Sequence, residues 1–198
     1  MAHFSNTKEI PATKVGVDDL IKSILKPDEG EIFLILIQPD AYPSIISRLS
    51  TVLYDKEGTQ GIYVTITLPH NKIASLLGHE QLSRRIIFID AITKSTVGKT
   101  SAENCRFLDG PEDIAHLSYT LETLIKEMEG KKTFVLIDSL TSLLIHNSKD
   151  SVMKFSHHIV SKLRSHKCRL VFLALEEGEH RAPLNFLSFL SDKTFRVI

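Results

Sequence analysis

Four short stretches carry residue types that could do chemistry, and each lies just behind an apolar run. The first is Gln38–Pro39–Asp40–Ala41–Tyr42–Pro43–Ser44, which follows the run from Glu31 to Ile37. A triphosphate-binding loop here needs glycines that let backbone N–H groups wrap a phosphate, then Lys and Ser or Thr. No Gly-Lys pair is present, Pro39 and Pro43 remove two N–H donors, and Asp40 repels a polyphosphate. The second is Asp138–Ser139, at the end of the run Thr133–Phe134–Val135–Leu136–Ile137. A carboxylate emerging from an apolar strand can hold Mg²⁺ through water, and it can equally cap the turn that follows.

The third stretch, Thr96–Val97–Gly98–Lys99–Thr100, contains the Gly-Lys-Thr end of a phosphate-binding loop. The full motif needs glycine where Thr93 stands and a helix opening at Lys99. Residues 100 to 110 show no helical stripe and hold several turn formers, which predicts a solvated loop. The fourth is Glu176–Glu177–Gly178–Glu179–His180–Arg181, a set of acids with His and Arg that suits acid–base work or cation binding and reads most simply as an exposed loop.

Other chemistries find no support. There is no Gly-x-Ser-x-Gly elbow, no His-Glu-x-x-His helix and no context for a cysteine nucleophile. His157 and His158 are adjacent on a helix and point in different directions. Cys105 and Cys168 are far apart and in no CxxC pair, which argues against a zinc site or a disulfide framework and fits a reducing compartment.

These stretches must be positioned by regular elements, and the apolar pattern supplies them. Continuous runs at 31–37, 61–66, 86–90, 133–138 and 169–175, with a shorter one at 194–198, have the branched composition of strands covered on both faces. Helical patterns fall between them: a short amphipathic helix at 20–25, then 43–54, 72–77, 111–129 and 149–165. Strand and helix alternate, so the expectation is a three-layer α/β sandwich around a mostly parallel sheet of five or six strands. Residues 1–14 read as a flexible lead-in to a single domain over 15–198, and 91–110 as a long connection without a convincing helix.

Bulk properties narrow the partners. A length of 198 residues suits one domain. Twenty-four basic residues balance 24 acidic ones, so no global attraction to nucleic acid or anionic membrane follows. No apolar run approaches the roughly 20 residues that span a bilayer, and no secretory leader is evident, which points to a cytoplasmic protein.

The order of features resembles the RecA/KaiC-like ATPase family, and especially archaeal KaiC-like domains, over nearly the whole chain. Val15 to Leu25 is similar to that family's lead-in helix, Glu29–Gly30–Glu31 and the following run to its first strand, and Gly61 to Ile66 to its second. Thr133 to Leu140 resembles the Walker B strand with its trailing Asp-Ser, and Phe189 to Val197 the closing strand. The resemblance implies a RecA-like sheet, a nucleotide at the first strand and Mg²⁺ near Asp138. The departures fall on the catalytic parts: residues 38–44 replace the glycine-rich Walker A, and Leu68–Pro69–His70–Asn71 replace the water-activating carboxylates after the second strand.

The expected function is therefore a non-catalytic KaiC-like module without cofactor, acting through a protein partner or self-association, with Asp138 and Ser139 a relic of the metal site. One alternative is an ATP-binding protein or ATPase with an unorthodox site, in which Gly98, Lys99 and Thr100 reach the phosphates and Asp138 holds Mg²⁺. Another is a nucleic-acid binder using Arg84, Arg85, Lys94, Lys99, Lys162, Arg164, Lys167 and Arg169, against which zero net charge counts.

Overall fold

Ile32–Phe33–Leu34–Ile35–Leu36–Ile37 has no polar side chain to turn towards water, so it forms a strand only where both faces are covered. The computed structural model, which describes residues 10–25, 30–54, 59–77, 85–98, 100–176 and 181–198, places it deep in one parallel sheet. The strands are β1 (Thr13–Val15), β2 (Ile32–Ile37), β3 (Thr59–Thr65), β4 (Ile86–Asp90), β5 (Cys105–Phe107), β6 (Lys132–Asp138), β7 (Arg169–Leu175) and β8 (Lys193–Val197). Their order across the sheet is β1-β8-β2-β7-β6-β3-β4-β5, and every pairing is parallel.

The helices are α1 (Val17–Leu25), α2 (Tyr42–Tyr54), α3 (His70–Leu77), α4 (Thr93–Val97), α5 (Ile114–Glu127), α6 (Leu140–His146), α7 (Lys149–Ser165) and α8 (Arg181–Leu190). A 3-10 turn at Pro39–Ala41 leads into α2. Crossovers that advance towards β5 carry α1, α2 and α3, whose Leu20, Ile24, Ile45, Ile46, Leu49, Ile73 and Leu77 join one core layer with Phe33, Ile35 and Ile37 of β2 and Ile86 and Phe88 of β4. Crossovers that return towards β1 carry α5 to α8 on the opposite face, in the core layer that holds Ile32, Leu34 and Leu36. That division is what right-handed crossovers require, and it yields the expected three-layer sandwich.

Several details differ from the sequence expectation. Among the described residues the sheet has eight strands, and β1 and β5, three residues each, are too short to leave a period in the sequence. Within 91–110 the chain forms both α4 and β5 instead of one open loop. The lead-in is docked from Ile10 onward: Ile10 is buried in the core and Thr13–Val15 pair with Phe195–Val197, while residues 1–9 lie outside the described residues. Helix α5 opens at Ile114, where the Asp113 side chain accepts the His116 N–H, so Pro111 precedes the helix. Helices α6 and α8 were not anticipated. Ser139 caps α6 through the Ser142 N–H, and Ser148 caps α7 through that of Ser151.

Candidate functional site

In an open parallel sheet, ligands sit beyond the carboxyl ends of the strands, where neighbouring chains leave towards opposite faces. Here such crevices open between β2 and β7 and between β6 and β3, since α2 and α3 leave to one face and α6 and α8 to the other.

The β2/β7 crevice is bridged by side chains. Arg196 on β8 donates from Nε to both Glu176 oxygens at 2.9 and 3.0 Å, and its Nη2 lies 2.8 Å from Oε1. Gln38 completes the bridge by donating to Glu176 Oε2 at 3.2 Å. Glu176 is therefore tied down by an ion pair across β7 and β8, while residues 177–180 of the acidic stretch lie outside the described residues and Arg181 opens α8. Between β2 and α2 only residues 38–41 intervene, half the length of a Gly-x-x-x-x-Gly-Lys-Thr loop.

The β6/β3 crevice holds Asp138, which is fully buried. Its Oδ2 accepts two phenolic hydrogen bonds, from Tyr42 at 2.5 Å and Tyr63 at 2.7 Å. Tyr42 is the first residue of α2, so the turn after β2 delivers its hydroxyl across β7 to the end of β6. Asp138 Oδ1 is buried with no hydrogen-bond partner among the described residues. Burial pushes the Asp138 carboxyl from 3.8 up to about 6, although both tyrosines pull the other way. Burial and the adjacent carboxylate likewise push the Tyr42 phenol above its ordinary value. Ser139 follows through a cis peptide bond and joins Thr67 and Ser142 in a small hydroxyl cluster.

One row of the sheet links this carboxylate to a second. Thr65 on β3 stands in register with Asp138 on β6 and Asp90 on β4, so all three side chains share a face. Burial alone would raise Asp90, but the Thr93 hydroxyl and the amides of His70, Thr93 and Ile92 hold it below the ordinary carboxylate range. His70 Nδ1 lies 2.9 Å from Asp90 Oδ2. Cys105 is nearby, and burial together with Asp90 pushes its thiol up to about 12, so it remains a neutral thiol at physiological pH and is a poor nucleophile. Sequence reasoning missed Tyr42, Tyr63, His70 and Asp90. The Ile-Asp ending of β4, which repeats that of β6, was the available signal.

The Gly-Lys-Thr stretch is arranged differently from a phosphate loop. Gly98 adopts φ 79° and its N–H donates to Lys94 O, so this glycine terminates α4 where a phosphate loop would open a helix. Thr100 borders a cavity beside β5, and Lys99 lies outside the described residues. Asp138 and the Gly98–Thr100 stretch follow different strands, β6 and β4, with β3 between them.

Solved structures share this fold. A KaiC-like protein of the hyperthermophilic archaeon Pyrococcus horikoshii OT3 superposes with a TM-score of 0.61 at 12% identity, over 94% of this chain and 81% of that one. The fold is KaiC-like. An uncharacterised Pyrococcus horikoshii protein, solved in complex with an unknown peptide, shares the KaiC-like fold with a TM-score of 0.66 at 15% identity, over 92% and 84% of the two chains. No family profile and no curated protein matches the sequence.

The remaining sequence expectations find these places in the KaiC-like sheet. Three of the candidate nucleic-acid cations are paired with carboxylates: Lys94 with Asp109 at 2.5 Å, Lys162 with Glu122 at 3.8 Å and Arg164 with Asp192 at 2.8 Å. Arg84 lies outside the described residues. No helix among the described residues is long and apolar enough to cross a membrane.

Proposed function

We propose that this chain is a non-catalytic KaiC-like domain that works as a protein-interaction or regulatory module. The observation that carries the reading is the Tyr42–Asp138 hydrogen bond. A nucleotide site of this fold would need the turn after β2 for phosphate and the carboxylate ending β6 for Mg²⁺. Here the phenol that opens α2, directly behind that turn, donates to Oδ2 of the carboxylate. The Gln38–Glu176–Arg196 bridge supports the same reading, because it occupies the neighbouring crevice with protein side chains. Binding of a peptide or protein is the activity we assign, consistent with the peptide carried by the Pyrococcus horikoshii chain of like fold.

The test is calorimetric titration with ATP and ADP in the presence of Mg²⁺, beside a phosphate-release assay. The expected outcome is neither binding nor release. Mg²⁺-dependent hydrolysis abolished by Asp138→Ala would overturn the proposal, and nucleotide affinity lost in Lys99→Ala would favour a site built on Gly98, Lys99 and Thr100.

A further inference from the structure

Three side chains of metal-ligand type meet at the β4 side of the sheet. His70 opens α3, Asp90 ends β4 and Cys105 begins β5, and one ligand atom from each lies within 4.8 Å of the others. They are 20 and 15 positions apart in the chain, which is why the spacing of the cysteines alone gave no sign of them.

The supporting groups hold two of the three in fixed orientation. Asp90 Oδ1 accepts the amides of Ile92 at 2.9 Å and Thr93 at 2.8 Å, while the Thr93 hydroxyl donates to Oδ2 at 2.5 Å. Carboxylate ligands are commonly oriented by such outer hydrogen bonds. The His70 ring is confined by Phe88, 6.0 Å between centroids, and by Phe107, which meets it edge-on at 5.1 Å. The third group can adjust, because β5 is an edge strand paired, among the described residues, with β4 alone.

We propose that His70, Asp90 and Cys105 bind one divalent cation of the zinc class. Zn–N and Zn–O bonds of about 2.0–2.2 Å and a Zn–S bond of about 2.3 Å put tetrahedral ligand atoms roughly 3.2–3.8 Å apart. The His70–Asp90 pair, now at 2.9 Å, opens slightly, and the Cys105 sulfur, which lies within 4.8 Å of both, closes in to meet that geometry. The cation takes the place of the proton between His70 Nδ1 and Asp90, His70 carries its proton on Nε2, and the thiol proton leaves to solvent. Cys105 also lines a cavity of about 320 Å³ with Phe107, Lys94 and His116, and the fourth coordination position is left to water or a small ligand. An imidazole, a carboxylate and a thiolate together suit a borderline-soft ion better than Mg²⁺ or Ca²⁺.

The experiment uses the full chain after dialysis against a chelator, titrated with Co²⁺ as the spectroscopic probe and then with Zn²⁺. The expected result is saturation at one equivalent, with the visible bands of tetrahedral cobalt and a thiolate charge-transfer band, all removed by one equivalent of Zn²⁺. Cys105→Ser abolishes the charge-transfer band, whereas Cys168→Ser, altered just before β7, retains it. Thr93→Val, which removes a donor to Asp90 without touching the cation, weakens affinity about 10–100-fold. A spectrum that stays that of octahedral aqueous cobalt overturns the proposal with the unaltered protein alone and leaves the cluster as a hydrogen-bonded support for α4. A charge-transfer band that survives in Cys105→Ser overturns it as well.

Discussion

Asp138 ionises in a place that water does not reach, and the consequence is a stability that depends on pH in an unusual direction. Burial pushes its pKa from 3.8 up to about 6, against the pull of Tyr42 and Tyr63. An unfolded chain holds aspartate near 3.9, so the folded state binds more protons than the unfolded one between about pH 4 and pH 6. Stability therefore falls as pH rises through that window. At about 1.36 kcal/mol for each pKa unit, the loss amounts to about 3 kcal/mol. Asp138→Asn removes the ionisation and keeps an oxygen to accept both phenols. Its amide nitrogen takes the place of Oδ1, which has no partner among the described residues, at a cost of about 1–3 kcal/mol that is the same at every pH. The variant is thus less stable than the parent near pH 4, and the difference shrinks or reverses towards pH 7. Urea denaturation of both proteins from about pH 4 to about pH 7 reads this directly, because every other titrating group is shared and cancels in the difference. Two pH profiles that run parallel would refute the reasoning, since they would place the Asp138 ionisation in water.

Tyr42→Phe deletes the 2.5 Å donor and should cost about 1.5–3 kcal/mol near pH 7, less near pH 4 where Asp138 is protonated; denaturant midpoints at the two pH values check this. Arg196→Met breaks the bridge between β7 and β8 and should cost about 2 kcal/mol by urea denaturation, below the 3–5 kcal/mol of a fully buried pair because Glu176 keeps 26% of its side chain exposed. Leu121→Ala empties a fully buried position on α5 and should lower stability by about 2–5 kcal/mol, with a matching fall in the thermal midpoint.

The sheet was legible in the sequence wherever a strand was long and covered on both faces. Ile32–Ile37 and Phe134–Ile137 read as strands because an exposed strand does not tolerate such an unbroken apolar run, and their shortness and branched side chains set them apart from a buried helix. The edges were not legible: Thr13–Val15 and Cys105–Phe107 owe their extended form to pairing with β8 and β4, a tertiary cause. Gly98 is ambiguous in an instructive way, since the residue that suggests a phosphate loop is equally the residue that ends a helix with positive φ. Asp138 was singled out from its strand alone. Its partners were hidden because Tyr42 and Tyr63 reach it only through the register of β3 with β6 and the short turn after β2, neither of which is written in any local pattern.

The position of β2 has a bearing on how the chain is made. Its two neighbours are β7 and β8, so Ile32 waits for Leu170, 138 positions further on, before its first ladder bond can form. A ribosome adding about 5–20 residues per second leaves this most apolar strand without its sheet partners for roughly 7–28 seconds. During that interval the β3–β4–β5–β6 half, whose strands pair among themselves, can assemble, whereas Ile32–Ile37 is a six-residue segment with both the hydrophobicity and the branched side chains of an aggregation core. Biogenesis of this protein is accordingly a problem of protecting one strand, and a chaperone that shields residues 32–37 would be expected to raise its soluble yield more than any change to the elements that follow.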